Sequence, residues 1–167
     1  MIELFDAATV MNRDVIVAKP GDSVAIVAQR LSEHQISAMP VCDSSGKVVG
    51  IISEGDLMRP FASAKALRGS WWLEMLGEGM QLAPEFVDYI RLDSRCARDL
   101  MTADVVTVTE TTPVPRIAEL LLEHNIKRVP VVRDGKLVGI VSRADIVRAL
   151  VRSGDAGSLR PAPGGLS

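Results

Sequence analysis

The sequence predicts an α+β fold: two copies of a β-α-β-β-α unit, packed sheet to sheet with pseudo-twofold symmetry, and a helical insert between them. Three observations predict it: an internal repeat, the same order of hydrophobic periodicities in each copy, and an aromatic-rich interruption between the copies. Laying residues 11–57 over 101–146 gives eighteen identities in forty-six aligned pairs, with a single one-residue gap near Ser44 and Ser45. Met11, Asp14 and Val15 match Met101, Asp104 and Val105, and Val24, Ala28, Leu31, Glu33, His34, Ile36, Pro40 and Val41 all recur ninety positions on. After the gap the offset is eighty-nine, and Gly46, Lys47, Val49, Gly50, Ile51, Ser53 and Asp56 match Gly135, Lys136, Val138, Gly139, Ile140, Ser142 and Asp145. Two copies at this spacing mean a duplicated unit rather than a solenoid, where three or more repeats are usual.

The elements follow in order. Each copy opens with a β-branched run, Val15-Ile16-Val17 or Val105-Val106-Thr107-Val108, which reads as a short strand. A helix follows, with Asp22 as its cap in one copy and Thr112 with Pro113 at the first helical position in the other. Val24, Val27, Ala28 and Leu31, and likewise Val114, Ile117, Ala118 and Leu121, fall at i, i+3, i+4 and i+7, one buried stripe. Two strands come next, 39–42 then 48–53, and 129–132 then 137–142; Ser-Ser-Gly and Asp-Gly turns make each pair a β-hairpin. A second helix starts at Ser53 or Ser142, and Pro60 is expected to end the first of these early. The domain boundaries are 8–62 for the first copy, 63–93 for the insert, 94–153 for the second copy and 154–167 for the tail. The stretch from about 59 to 95 holds Phe61, Trp71, Trp72, Phe86 and Tyr89, the last four on two short amphipathic segments, 71–76 and 84–90; it is either a lid on its own subunit or a partner surface. The tail, with four Gly and two Pro in fourteen residues, is expected to be disordered.

Composition narrows the function. The 167 residues carry 19 basic and 21 acidic side chains, net −2, so there is no cationic excess to replace counterions on a nucleic acid. No segment approaches the ~20 apolar residues of a membrane span, and the start lacks a signal-peptide pattern. Cys42 and Cys96 stand in no metal or redox spacing, which suits a reducing compartment; the expectation is a cytoplasmic protein without a metal site. Cys42 reads as a buried hydrophobe and Cys96 as the more exposed thiol. His34 and His124 recur but sit near helix C-termini, where an imidazole meets unpaired carbonyls, and neither reads as a metal ligand or acid–base group. With no metalloprotease motif, Walker loop or nucleophile elbow, the chain does not read as an enzyme, and no catalytic cofactor is expected.

The most informative stretches are Gly50-Ile51-Ile52-Ser53-Glu54-Gly55-Asp56 and Gly139-Ile140-Val141-Ser142-Arg143-Ala144-Asp145, each ending a strand and opening a helix. Ser-x-x-Asp is a capping box, which by itself explains both residues. The same geometry can also serve a ligand: the helix N-terminus offers N–H groups to a phosphate, and a carboxylate one turn on can accept both ribose hydroxyls.

The duplicated β-α-β-β-α unit, with Gly-x-x-Ser-x-x-Asp and a proline in the middle strand, resembles a tandem pair of CBS (cystathionine-β-synthase-type) domains, also called a Bateman module. The likeness covers about residues 8–62 and 94–153, and the insert with its Trp pair resembles that of small bacterial stand-alone CBS-pair proteins. The resemblance implies adenosine-type ligands in the cleft between the repeats, with Asp56 or Asp145 on the ribose and Ser53 or Ser142 on a phosphate. It implies that the adenine lies against Val15, Ile16, Met39 and Pro40, or against Val105, Val106, Val129 and Pro130.

The two sites differ in charge. Lys127, Arg128 and Arg143 in the second copy stand where the first has Ser37, Ala38 and Glu54, so the second is expected to be the phosphate-bearing site. The first is either empty or holds a neutral adenosine moiety or a sulfonium ligand. The reading is therefore a non-catalytic regulatory module that takes an adenine nucleotide (AMP, ADP or ATP, with NAD or S-adenosylmethionine as further candidates). It would relay its state by conformational change to an effector protein or to its own homodimer; the alternative is a ligand-independent dimerisation scaffold.

Overall fold

The computed structural model describes residues 5–65 and 94–155. The expectations for the Trp71-Trp72 segment and for residues 156–167 lie outside the described residues. In chain order the elements are α1 (Ala7–Val10), α2 (Val24–Glu33), β1 (Ala38–Cys42), β2 (Val48–Ser53), α3 (Glu54–Lys65), α4 (Ala97–Leu100), β3 (Val108–Thr109), α5 (Val114–Glu123), β4 (Arg128–Arg133), β5 (Lys136–Ser142) and α6 (Arg143–Asp155). This mixed α+β arrangement repeats helix, hairpin and helix in both halves, as the duplicated pattern predicts.

The chain divides into two compact units, each with its own core. The first unit is built on the first repeat. Val24, Val27 and Leu31 of α2 pack with Met39, Val41 and Ile52 of the hairpin and Leu57 of α3, and Ala97 and Leu100 of α4 complete the cluster. The second unit is built on the second repeat. Val114, Ile117 and Leu121 of α5 pack with Val129, Val131, Val141 and Ile146, and here Ala7 and Met11 complete the cluster. Each fully buried aliphatic side chain contributes about 1.5–3 kcal/mol, so these stripes carry most of each unit's stability.

The folded unit and the sequence repeat are thus different sets of residues. The lead-in of the first repeat, residues 5–14, docks on the second repeat, and the lead-in of the second, residues 94–102, docks on the first. In the second unit the Ala7 N–H donates to the Thr112 carbonyl at 2.9 Å and the Val114 N–H to Phe5 at 2.8 Å; Asn12 and Ile140 exchange two hydrogen bonds of 2.9 Å. In the first unit the Ala97 N–H donates to Asp22 at 2.8 Å, and Thr102 and Ile51 exchange bonds of 2.9 and 3.0 Å. The motif glycines make this docking possible. A Cβ on Gly139 would stand 2.4 Å from Met11 Sδ and 3.1 Å from the Asn12 carbonyl oxygen, and one on Gly50 would stand 2.3 Å from Met101 Sδ.

Several local expectations are corrected. The cap of α2 is Ser23, whose hydroxyl accepts from the Ile26 N–H at 3.2 Å, while Asp22 accepts from the Lys19 N–H and pairs with Arg30. α5 begins at Val114 with Pro113 in the cap position; Thr112 instead accepts from the Thr109 N–H at 3.1 Å. α3 continues through Pro60 to Lys65, because a proline inside a helix removes one backbone bond, here to the Asp56 carbonyl, and the ladder resumes beyond it.

The first strand of each repeat is also shorter and later than its β-branched run. Ala18 makes a lone parallel bridge to Val41, and β3 pairs with β4 only through Val108 with Val131 and Thr109 with Val132. The cause is the mid-strand proline. The Ala18 bridge uses the Pro40 carbonyl and the Cys42 N–H, both at 2.9 Å. Extending it one pair back, to Ile16 with Met39, would need a Pro40 N–H that does not exist. Pro130 stops β3 before Val106 in the same way. Val15, Ile16, Val105 and Val106 therefore lie half-buried and outside any ladder.

Candidate functional site

In each repeat the strand after the hairpin turn delivers a serine to the N-cap of the following helix. The Asp134-Gly135 turn has both residues at positive φ, 52° and 77°, which sets the two-residue hairpin before β5. At the end of β5, the Ser142 N–H and hydroxyl both donate to Asp145 Oδ2 at 2.7 Å, and the Asp145 N–H donates to Ser142 Oγ at 3.2 Å. At the end of β2 the same three bonds join Ser53 and Asp56 at 2.9, 3.0 and 3.3 Å. Both capping boxes are complete. In each, the remaining carboxylate oxygen, Oδ1, is ion-paired with an arginine three residues on, Arg148 or Arg59. The Asp56 side chain is 5% exposed and that of Asp145 14%, so the second carboxylate is the more open.

The expected site residues separate by unit. Val15, Ile16, Met39, Pro40, Ser53 and Asp56 share the first unit, and Val105 falls at its edge; Val106, Lys127, Arg128, Val129, Pro130, Ser142, Arg143 and Asp145 share the second. Met39, Pro40, Val129 and Pro130 are fully buried and back the site from the core, whereas the four half-buried valine and isoleucine side chains before them offer apolar surface. The Arg143 guanidinium is occupied elsewhere: it donates to the carbonyls of Ile126 at 2.9 Å and Leu121 at 3.5 Å, neutralising the C-terminal end of α5. Its backbone N–H donates to the Lys127 carbonyl at 3.0 Å, tying the start of α6 to the start of β4.

A cleft of about 290 Å³ opens beside Asp145, lined by residues 9–12 and by Asp145, Arg148, Ala149 and Arg152. The last four lie at i, i+3, i+4 and i+7 on one face of α6. Neither the lead-in residues nor the two arginines are among the site residues read from sequence. Arg148 carries a visible signal, since Arg59 matches it at the same offset of eighty-nine. The lead-in residues carry none, because nothing in the pattern says which repeat they dock on.

Elsewhere, His34 and His124 stand exposed at the C-caps of α2 and α5. Cys42 is buried, and desolvation pushes its thiol up from the ordinary value, with Asp43 adding to the shift. Cys96 caps α4; its N–H and thiol donate to Asp99 at 2.9 and 3.2 Å and hold that carboxyl below the usual range. Among the described residues no group of three or more His, Cys, Asp and Glu side chains is placed to hold a metal ion, and no helix is long and apolar enough to cross a membrane.

A family model described as "CBS domain" matches the chain twice, over residues 7–63 and 97–152. The chain belongs to the CBS-domain family. This tandem CBS pair is 36% identical over 152 residues to the CBS domain-containing protein CBSX1, chloroplastic, of Arabidopsis thaliana, a match covering 85% of this chain and 63% of that one. Among solved structures it is similar to the CBS domain pair of protein MJ0100 in complex with 5′-methylthioadenosine and S-adenosyl-L-methionine (TM-score 0.67, 27% identity, 89% of this chain and 98% of that one). It is equally similar to Arabidopsis CBSX2 in complex with AMP (TM-score 0.67, 28% identity, 89% and 97%).

Proposed function

We propose that this CBS pair is a non-catalytic regulatory module of the cytoplasm that binds an adenosine-type ligand and relays the bound state to a partner. The observation that carries the reading is the pair of Ser-x-x-Asp arrangements, one with its carboxylate at the edge of an open cleft, in a family whose solved pairs include complexes with AMP and with S-adenosylmethionine. Asp145 accepts the ribose hydroxyls. The phosphate lies over Ser142 at the start of α6, drawn there by the positive end of the helix dipole and by Lys127 and Arg128. Val105 and Val106 offer the apolar surface for adenine, Val129 and Pro130 backing it. Ser53 and Asp56, with Val15, Ile16, Met39 and Pro40, form the poorer site for a phosphate, lacking those cations. A ligand shifts the module's state only by binding one conformation better than another.

The completed capping boxes favour a second reading, a ligand-independent scaffold in which Ser and Asp only cap helices. A thermal-shift panel with AMP, ADP, ATP, NAD and S-adenosylmethionine separates the two. A ligand at 100 times its Kd adds about 2.7 kcal/mol, an upward shift of several degrees for a chain of this size. We expect that shift with at least one nucleotide; a melting point unmoved by all five leaves the scaffold.

The module is read as a homodimer. Val147, Leu150 and Val151 of α6 are 58–61% exposed and Leu122 of α5 is 73% exposed, an apolar set on the two helices that pack together in the second unit. Sedimentation velocity at tens of micromolar is expected to give about twice the chain mass, and a monomer there counts decisively against the dimer.

A further inference from the structure

Both repeats place an arginine three residues beyond the motif aspartate, a position that the ribose and phosphate assignments above leave without a role. In the second unit Arg148 Nη2 holds Asp145 Oδ1, while Oδ2 is committed to the Ser142 N–H and hydroxyl. An incoming diol must therefore meet the carboxylate on the oxygen that the guanidinium already occupies. The two members of the pair are unequally fixed. The Asp145 side chain is 14% exposed and locked by the capping box, whereas that of Arg148 is 62% exposed. Such a pair is cheap to open on its exposed side. The remaining charged side chain of the cleft is Arg152, one turn further on, and it makes no ion pair among the described residues. Two guanidiniums and one carboxylate thus line the cleft. If ligand hydroxyls take Asp145, Arg148 loses its counter-ion in a cleft whose other charged side chain is cationic, and it needs an anion.

We propose that Arg148 is an exchangeable counter-ion that makes the second-repeat site selective for phosphorylated ribonucleosides. The vicinal diol displaces the guanidinium from Asp145 Oδ1, and the displaced guanidinium takes the phosphate of the same ligand. A neutral nucleoside supplies donors for Asp145 but strands Arg148. Inorganic phosphate supplies an anion but leaves Asp145 without a donor in place of Arg148. A ribonucleotide supplies both, so the exchange conserves the ionic pairing of the cleft. This rests on the adenosine-binding reading above and gives it a discriminating residue.

Calorimetric titration of wild type, Arg148→Met and Arg148→Lys with adenosine and with AMP tests it. In Arg148→Met, AMP is expected to bind about tenfold more weakly while adenosine binds as well as in wild type or better. Arg148→Lys, which keeps the charge, should retain most of the preference for AMP. The AMP-to-adenosine ratio belongs to the folded fraction, so a modest stability loss does not disguise it. If Arg148→Met weakens both ligands by one factor, or neither, Arg148 is only a structural counter-ion and the exchange is wrong. If wild type binds neither ligand, the exchange is wrong, and the adenosine-binding reading falls with it only if the five-ligand melting panel is also flat; wild-type binding with an unchanged ratio overturns the exchange alone.

Discussion

Replacing Met11 by alanine is expected to loosen the second repeat around β5, about 130 residues away in sequence, and to leave the first intact. Met11 is 9% exposed in the core cluster of the second unit, and its thioether lies over Gly139, where there is no Cβ to meet it. Truncating a buried Met costs about 2–5 kcal/mol, the larger part when the site cannot collapse. Collapse is hindered here because Asn12, the next residue, is pinned to Ile140 by two backbone bonds. Hydrogen exchange read peptide by peptide gives the location as well as the size of the effect. Amides of β5 around Ile140 should lose protection, and those of β2 around Ile51 should keep it. The reverse pattern would mean that the lead-in belongs with the repeat it precedes in the chain.

That assignment is the part of the architecture the sequence does not reveal. Met11 and Met101 are equivalent in the alignment, as are Gly50 and Gly139, so either lead-in fits either glycine by pattern alone. The periodic stripes of α2 and α5 and the hairpin turns are legible because local rules set them: spacing 3.6 for the helices, and Asp-Gly for the second hairpin. The opening strands are misplaced by the same reading because β-branched residues report a preference for extended backbone and not whether a partner N–H exists. Pro40 and Pro130 remove that N–H. Their presence in the middle strand is plain in the sequence, but their effect falls on a segment more than twenty residues earlier.

The candidate site is legible to a similar extent. Ser142 with Asp145 and Ser53 with Asp56 are found by spacing, since a capping box is local. The charge asymmetry is legible as composition, but which cations are available is not. Arg143 lies inside the motif, yet its guanidinium reaches the end of α5, while Arg148, outside the motif, holds the carboxylate. A helix fixes where a side chain begins, and a long arginine reaches the nearest unpaired carbonyl or carboxylate in space.

The charge difference between the repeats leads to the second large expected effect, that of Asp145→Ala on ligand binding. Removing this carboxylate strands the ribose hydroxyls of a bound nucleotide. Hydrogen bonds to charged groups are worth roughly 1.5–3 kcal/mol, so affinity should fall about ten- to a hundredfold. The same substitution opens the capping box, since the Ser142 N–H and hydroxyl lose their acceptor. Loss of a cap costs about 0.5–2 kcal/mol of folding stability, and the unliganded melting temperature measures it separately. Asp56→Ala removes the matching bonds in the first repeat and carries the same capping loss, so it serves as the internal control. Its own effect on nucleotide binding should be small, because Ser37 and Ala38 stand where the second repeat has Lys127 and Arg128, and Glu54 adds a negative charge. Asp56 is also the more buried carboxylate, so its substitution should cost more in melting temperature than in affinity. Titration of both variants with AMP and ATP decides between the sites. If Asp56→Ala abolishes binding while Asp145→Ala leaves it intact, the phosphate-bearing site lies in the first repeat and the charge argument is wrong.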